Sequence, residues 1–252
     1  NYAYRRRDDE PNRIYAFVEA RVSLRRVQQH GFLVRMRDLL GRREIFEFGT
    51  NGTIDPVFPY FGIANNHNLF GHDLLGRYYQ TRLSSVGGFF TFQYPLWTYK
   101  APGPAPVGTL RALSSVAYHV DRIKPYAGSL FAHERAIDAG TTRRGILRLG
   151  LTWDRRDNEW SPRNGALHDV TVDTGGPWTG SNHAWGRVQA TLRHYWQLGV
   201  PSLVLAHRLT YDGLWGDAPF VPLGEFGGLV TSDGLGGTQA GRGWLRRRYI
   251  GK

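Results

Sequence analysis

Hydrophobic and polar residues alternate along most of the chain. Between Gly186 and Leu198 the even positions are mostly apolar, with His194 as the exception, and the odd positions carry arginine, glutamine, threonine or tyrosine. A period of two residues is typical of β-strands that have one apolar face. About 11 strands are predicted, at 13–24, 30–38, 43–50, 76–86, 88–98, 108–120, 127–136, 144–154, 166–174, 185–198 and 202–212.

The length of these strands and the chemistry of their faces suggest two architectures. Strands of soluble proteins have about 5 to 6 residues, whereas a tilted strand that crosses a bilayer needs about 9 to 11. Many of the predicted strands have 11 to 13 residues, and aromatic residues such as Trp97, Trp153 and Trp196 lie near their ends. An antiparallel sandwich with one solvated face is the soluble alternative. Long strands with arginine on the polar face favour a membrane barrel with a wet lumen.

In such a barrel the apolar positions of the strand at 185–198 face lipid and the polar positions face the lumen. We therefore expect an arginine to be costly at Leu192 and much less so at Thr191. The expected outward residues are Val188, Ala190 and Leu192, and the expected inward residues are Gln189, Thr191 and Arg193.

Composition narrows the class of protein. The 252 residues have no linker-like stretch that would divide them, and the net charge of +11 comes almost entirely from arginine. A positive field of this size favours acidic partners such as lipid head groups, lipopolysaccharide or nucleic acid. Cysteine is absent, which excludes disulfides and thiolate metal sites. No window approaches 18 consecutive apolar residues, and the first residue is asparagine, so we expect a mature or partial chain without a transmembrane helix.

Two charged or glycine-rich stretches resemble motifs of one family. The stretch "TWDRRDNEWSPRNG" resembles the D-x-R-D-x-x-x-x-P-x-x-G signature of the BamA/TamA outer-membrane barrel superfamily, also called the bacterial surface-antigen family. The matching residues are Asp154, Arg155, Arg156, Asp157, Pro162 and Gly165. The stretch "LGGTQAGRGW" is similar to that family's Arg-Gly-aromatic loop, and "FPYFGIANN" is similar to a segment of the members without periplasmic POTRA domains. The loop residues are Gly241, Arg242, Gly243 and Trp244.

This resemblance implies an all-β fold, an antiparallel transmembrane β-barrel in the outer membrane of a Gram-negative bacterium. The family's barrel has about 16 strands, an even number as in other bacterial barrels, so about 11 visible strands imply either that the last ones are missing here or that another chain supplies them. We expect residues 1–252 to be a single, incomplete barrel domain in which 213–252 is a long loop. The first charged motif implies a strand that leads into a tight periplasmic turn, where Pro162 begins the reversal and Gly165 takes positive φ. The charged residues before the turn are expected to pair with one another.

The resemblance also implies a function without a cofactor and without covalent chemistry. Members of the family help outer-membrane or surface proteins to insert into the membrane or to cross it. Implied partners are outer-membrane lipid, lipopolysaccharide and client barrel proteins. The loop implies that Arg242 folds into the lumen and meets acidic groups, with an exposed loop that binds lipopolysaccharide as the alternative. A non-insertase barrel, acting as a passive pore or as an anchor for other subunits of a membrane complex, remains the second hypothesis.

The sequence contains no convincing motif for metal binding, nucleophilic catalysis, phosphate binding or nucleic-acid binding. The charged stretch at 153–165 lacks the central glycine and terminal glutamate of an EF-hand calcium loop. The chain has no H-E-x-x-H metal motif and no G-x-S-x-G nucleophile elbow, and its glycines do not have phosphate-loop spacing. The arginines are dispersed by strand alternation instead of forming one patch, so nucleic acid is not an expected partner. We expect no metal site and no enzymatic activity.

Overall fold

The computed structural model of the protein is dominated by β-strands. It describes residues 2–4, 13–22, 28–62, 76–99, 108–135, 138–158, 161–200 and 202–226, and at 2–4, 55 and 56 it describes the backbone alone. Within these ranges the strands are β1 (Tyr2–Tyr4), β2 (Ile14–Val22), β3 (Gln28–Arg37), β4 (Ile45–Pro59), β5 (Gln80–Tyr99), β6 (Gly108–Pro125), β7 (Gly140–Asp154), β8 (Gly165–Gly175), β9 (Trp185–Gln197) and β10 (Val204–Gly216). Two short helices, α1 (Leu130–Glu134) and α2 (Phe220–Leu223), follow β6 and β10.

The strands form one antiparallel sheet of 10 strands, in which each pairs with its neighbours in sequence. The predicted fold class, an all-β antiparallel sheet with long strands, is therefore confirmed. In the described ranges the sheet is open, with β1 and β10 at its two edges. From β2 onward the strands have 9 to 20 residues, which reaches or exceeds the about 9 to 11 that a tilted strand needs to cross a bilayer.

The predicted boundary between two strands at 86–88 is wrong. Residues 80–99 form one continuous strand, and Gly87 lies opposite Asn51 on one side and His119 on the other. Neither Gly87 nor Gly88 has the positive φ that many tight turns require. Both continue the extended backbone, because the double glycine here serves close strand packing and not a reversal.

The strand predicted at 127–136 is also wrong. Strand β6 ends at Pro125, and the segment after it contains α1, whose first turn is capped by the Ser129 hydroxyl, which accepts a hydrogen bond from the Ala132 backbone N–H at 3.3 Å. Leu130 and Phe131 are buried in a cluster of side chains from other elements. Tertiary packing of these two residues thus decides the local conformation. Three differences change the strand count from about 11 to 10: the strand predicted at 127–136 is absent, two predicted strands form one strand through Gly87, and β1 was not predicted.

The expected loop at 213–252 begins later than predicted. Strand β10 continues through Gly216, because its last residues remain paired with the first residues of β9. A positive φ of 79° at Gly216 ends the strand, and α2 follows. The rest of this expected loop, from residue 227 onward, lies outside the described residues.

The sheet has two chemically different faces. On β9 the predicted alternation is confirmed: the Gln189 and Thr191 side chains are fully buried, whereas Leu192 on the opposite face is 38% exposed. We call the face that carries Gln189 the inner face and the face that carries Leu192 the outer face. Exposed apolar residues of the outer face continue onto the neighbouring strands, and examples are Val116, Leu149, Leu151, Val170, Val172, Leu209 and Tyr211.

An aromatic cluster closes one end of the inner face. This capped end contains α1, α2, the residues Tyr60 and Phe61 after β4, and the residues Tyr78 and Tyr79 before β5. The Phe131 ring lies 5.0 Å from Tyr60 and 4.8 Å from Phe220, and Phe220 lies 5.4 Å from Phe58 of β4. Because β4 and α2 are far apart in strand order, the sheet must curve for these rings to meet. Among the described residues, no helix is long and apolar enough to span a membrane.

Candidate functional site

The inner face of β6 to β10 carries a network of buried arginine–carboxylate pairs. We call it the inner-face network, and its central residue is Arg187 of β9, whose side chain is 1% exposed. The Arg187 Nε and Nη2 atoms donate to the two carboxylate oxygens of Asp212 at 2.7 and 2.6 Å. Gln189 donates to the same carboxylate at 3.1 Å and accepts from the Thr171 hydroxyl at 3.2 Å. The fork of Arg187 is therefore held by two-point binding, which fixes its orientation as well as its charge.

Further pairs extend the network toward β6. Arg148 of β7 donates to both carboxylate oxygens of Asp173 at 2.6 and 2.7 Å. Arg144, on the same inward side of β7, donates to Asp121 of β6 at 2.9 Å. Asp173 lies directly opposite Arg148 and Arg187 in the register of the sheet. Alternating charges on neighbouring strands thus cancel locally, which is what permits so many ionised groups to be buried.

The network also holds the segment that follows β10. Arg187 Nη2 donates to the backbone carbonyl of Glu225 at 2.7 Å, and its Nη1 lies 3.5 Å from the Glu225 carboxylate. At the start of this segment the Asp217 backbone N–H donates to Ala184 O at 2.9 Å, and the Asp217 carboxylate lies 2.8 Å from His183 Nδ1. Residues 217–226 are consequently tied at both ends to the wall of the sheet.

At the capped end a buried phenol joins two of the connecting segments. The Tyr60 hydroxyl donates to Glu134 Oε2 at 2.8 Å, which joins the end of β4 to α1. Burial, together with this hydrogen bond to a carboxylate, raises the pKa of Tyr60 above its ordinary value. Tyr60 therefore stays protonated and serves as a fixed donor at the capped end, where its ring packs against Phe131 and Phe220.

The predicted turn motif forms the connection between β7 and β8. Arg156 donates to both oxygens of Asp154 at 2.9 and 2.7 Å, so these charged residues pair as expected. The Asp157 carboxylate accepts the backbone N–H groups of Arg163 and Asn164 at 2.9 and 3.0 Å, which holds the turn that contains Pro162.

Two other residues of the motif complete the turn. Gly165 has a φ of 105°, the positive value that the motif predicts. Arg155 differs from its neighbours, because its guanidinium lies over the Trp153 and Tyr99 rings at 5.1 and 5.9 Å.

The other predicted motif lies outside the described residues. Gly241, Arg242, Gly243 and Trp244 belong to the range 227–252, so their predicted role is neither confirmed nor contradicted. In the described part of the chain, no group of three or more histidine, cysteine, aspartate or glutamate side chains is placed to hold a metal ion.

Sequence reasoning missed the inner-face network. Asp169 and Asp173 alternate on β8, and Arg187 and Arg193 alternate on β9, so the inward positions of two consecutive strands carry opposite charges. This complementarity was visible in the sequence as soon as the two strands were aligned as a hairpin. The bidentate partner Asp212 required the register of β10 as well.

Comparison with known families agrees with this geometry. The sequence profile of the Omp85 superfamily domain matches residues 53–246, which extends from β4 past the end of the described residues. A comparison with curated proteins found no match. The match covers most of the chain, and the long-stranded antiparallel sheet, with its apolar outer face and polar inner face, fits an outer-membrane barrel. The chain therefore belongs to the Omp85 superfamily, as the motifs at 152–165 and 241–244 had indicated.

Proposed function

We propose that the protein is an integral outer-membrane barrel of the BamA/TamA type that assists the insertion or translocation of outer-membrane and surface proteins. Membership of the Omp85 superfamily supports insertion or translocation in general. The observation that carries the placement in the membrane is the contrast between the faces of β7 to β10: charges are buried on the inner face and apolar side chains are exposed on the outer face. Strands of this length with an exposed apolar face are stable in lipid. The proposed insertion or translocation of proteins requires no covalent chemistry.

The capped end favours this function over a passive pore. A pore with steady conductance needs an open lumen, whereas the Tyr60, Phe131 and Phe220 rings pack against one another over the inner face, with centroids 4.8 to 5.6 Å apart. Residues 217–226 are tied down beside them by Arg187 and Ala184. An anchor subunit without a transport role is the other alternative, and it predicts neither conductance nor client folding.

The decisive experiment is reconstitution in lipid vesicles with an unfolded barrel client. We expect the client to fold faster in vesicles that contain the protein than in empty vesicles. Planar-bilayer recordings on the same preparation should show little steady conductance in the wild type and more in Phe220→Ala, which opens the aromatic cluster. Phe46→Ala is the matched control, because Phe46 lies on the outer face of β4 beside Phe90 and Phe92. Steady conductance in the wild type without any client folding would overturn the insertase in favour of the pore.

The proposal includes a role for the loop at 241–244, which lies outside the described residues. The resemblance assigns Arg242 to the lumen, and the inner face offers buried carboxylates such as Asp169 and Asp212 as the kind of acidic group that a guanidinium fork binds. Arg242→Ala and Arg242→Lys should both reduce client folding while the barrel stays folded. They should also increase protease cleavage within 233–252, whereas equally rapid cleavage in wild type and variants would support an exposed lipopolysaccharide-binding loop.

A further inference from the structure

The outer face of β7 to β10 carries three histidines in an otherwise apolar surface. Outward positions from Leu147 to Trp153, Ala166 to Thr174, Gly186 to Trp196 and Leu205 to Trp215 contain no aspartate, glutamate, lysine or arginine. The exceptions to the apolar pattern, besides Thr174 and Tyr211, are His168, His194 and His207, which we call the imidazole row. His194 is the residue that interrupts the alternation of the β9 sequence.

The imidazole row is a stack of rings that crosses three strands. His194 lies directly opposite His207, and their rings are stacked with centroids 4.9 Å apart and planes 8° apart. The Trp196 ring lies parallel to both, at 5.3 Å from His194 and 5.2 Å from His207. His168 meets His194 edge-on at 4.7 Å. In this stack the Nδ1 atoms of His168 and His194 are buried and have no hydrogen-bond partner.

The imidazole row lies near one boundary of the apolar surface. Each histidine is three residues from the end of its strand, counted from Gly165, Gln197 or Val204. These strand ends are on the side of the sheet opposite the capped end. Trp153 and Trp196 flank the row, and tryptophan is enriched at the level of lipid head groups. The phosphates of a bilayer lie at that level.

A permanent positive charge stands beside the imidazole row. The Arg155 guanidinium is exposed and lies 5.1 Å from the centre of the Trp153 ring, which in turn contacts His168. The carboxylate nearest to it in sequence, Asp154, is bound by Arg156 at 2.7 Å. The described charged residues of this turn, which are Asp154, Arg155, Arg156, Asp157 and Arg163, carry three positive and two negative charges, and this balance complements an anion.

We propose that the imidazole row and Arg155 bind the phosphate of an anionic phospholipid whose acyl chains lie along the apolar outer face. The inference rests on the proposed placement of that face in lipid. Arg155 supplies a donor at every pH, and the imidazoles add donors and charge as they take up protons.

The binding of anionic lipid consequently strengthens as the pH falls through the titration of the row. Among the described residues, the ionisable groups near it are Arg155 after β7, His168 and Asp169 on β8, His194 on β9 and His207 on β10. Two imidazoles stacked at 4.9 Å repel each other when both are charged. A phosphate between them and Arg155 offsets the repulsion that a second proton would add.

The test uses the full protein in phosphatidylcholine vesicles with a trace of spin-labelled lipid. Electron paramagnetic resonance separates lipid in contact with the protein from bulk lipid, and spin-labelled phosphatidylglycerol is compared with spin-labelled phosphatidylcholine at about pH 5.5 and about pH 8, on either side of histidine titration. We expect the preference for phosphatidylglycerol to be about fivefold greater at the lower pH, as for one added cation beside an anionic head group. Replacing His168, His194 and His207 together by glutamine should abolish the pH dependence, and Arg155→Gln should lower the preference at both pH values. His119→Gln, an inward-facing histidine of β6, is the matched control and should change neither.

The outcomes separate this inference from the proposed function. Absence of any protein-contacting lipid would overturn the membrane placement itself. Protein-contacting lipid with equal affinity for both labels, or a preference that does not depend on pH, would overturn the phosphate site while the placement stands. Concentration-dependent energy transfer between labelled copies, with loss of contacting lipid, would instead assign the row to a contact between copies. If the triple variant fails to fold, the pH dependence of the wild type and Arg155→Gln still decides.

Discussion

The inner and outer faces of β7 to β10 are built from the same strands and obey opposite rules. On the inner face Arg187, Gln189 and Thr191 are almost completely buried, whereas apolar residues of the outer face such as Leu149 and Leu209 are 54% and 62% exposed. In a soluble sheet the apolar side would be covered and the charges would face water. The inversion teaches that each face is adapted to a different surrounding: the inner face neutralises its charges by pairing them, and the outer face needs a nonpolar solvent.

The largest effect is expected at the inner face. Replacing Arg187 by methionine removes both donors to Asp212 and the bond to the Glu225 carbonyl, and it leaves a carboxylate buried. Breaking a buried ion pair from one side costs about 3 to 5 kcal/mol. Urea unfolding of the vesicle-bound protein, followed by tryptophan fluorescence, measures this loss. Arg208→Met is the control, since Arg208 is exposed on β10, and its cost should stay within about 0.5 kcal/mol. Equal costs for the two variants would contradict a special role of the network.

The outer face should be sensitive to charge. Leu192 lies directly opposite His168, close to the head-group level of the imidazole row, whereas Val188 lies six residues from His194 and nearer the bilayer midplane. An arginine at Val188 should cost about 2 to 4 kcal/mol if the outer face meets lipid. Thr191 is a poor control because its side chain is fully buried, so an arginine at that position also meets steric resistance. Asn51 is better, since it is exposed on the inner face of β4 between Gly31 and Gly87. The free energies of unfolding of Val188→Arg and Asn51→Arg in vesicles should differ by most of that amount, with Leu192→Arg between them. Equal costs for Val188→Arg and Asn51→Arg would contradict contact of the outer face with lipid.

A smaller effect on stability is expected at the turn between β7 and β8, which sets the register of these two strands. A Cβ atom at Gly165 would lie 2.1 Å from the Arg155 carbonyl oxygen, and φ is 105° there. Gly165→Ala should therefore destabilise the protein by about 1 to 3 kcal/mol, the cost of a strained backbone. Gly41→Ala separates strain from collision, because Gly41 also has positive φ but no atom lies within 4 Å of the position that an added methyl group would take. Thermal unfolding of the two variants compares them, and we expect Gly165→Ala to be the less stable.

The smallest effect is a local dependence on pH in the turn between β3 and β4. Burial would raise the pKa of Glu44, but hydrogen bonds from the Leu40 and Arg42 backbone N–H groups outweigh it and hold the pKa below its ordinary value. Because the pKa of Glu44 is lower in the folded protein, its carboxylate stabilises the turn at pH values above the ordinary carboxyl pKa. This stabilisation is lost as the pH falls through the pKa that Glu44 has in the folded protein. Hydrogen-exchange protection of the Leu40 and Arg42 amides should decline over that acidic range. In Glu44→Gln the decline should be absent, and an identical decline in the variant would assign it to another group.

Much of the fold could be predicted from the sequence, since strand positions and faces depend on a local period of two. The alternation at 185–198 placed Gln189 inside and Leu192 outside, as the structure has them. Errors occurred where a local signal had two meanings. Gly87 and Gly88 are equally suited to a turn and to close strand packing, and Leu130 and Phe131 were compatible with a strand until the aromatic cluster placed them in α1.

The candidate site was harder to predict than the fold, because many of its contacts join residues that are far apart in the sequence. The turn motif at 154–165 and the family that it indicates could be recognised from residues close together in the chain. By contrast, the pairing of Arg187 with Asp212, the tie from Arg187 to Glu225 and the stack of His194 on His207 follow from the register of neighbouring strands. The meeting of Phe58 with Phe220 follows from the curvature of the whole sheet. The sequence by itself determined which side chains share a face, because alternation is a property of adjacent residues; only the tertiary structure decided which of them touch, because register and curvature are set by many strands together.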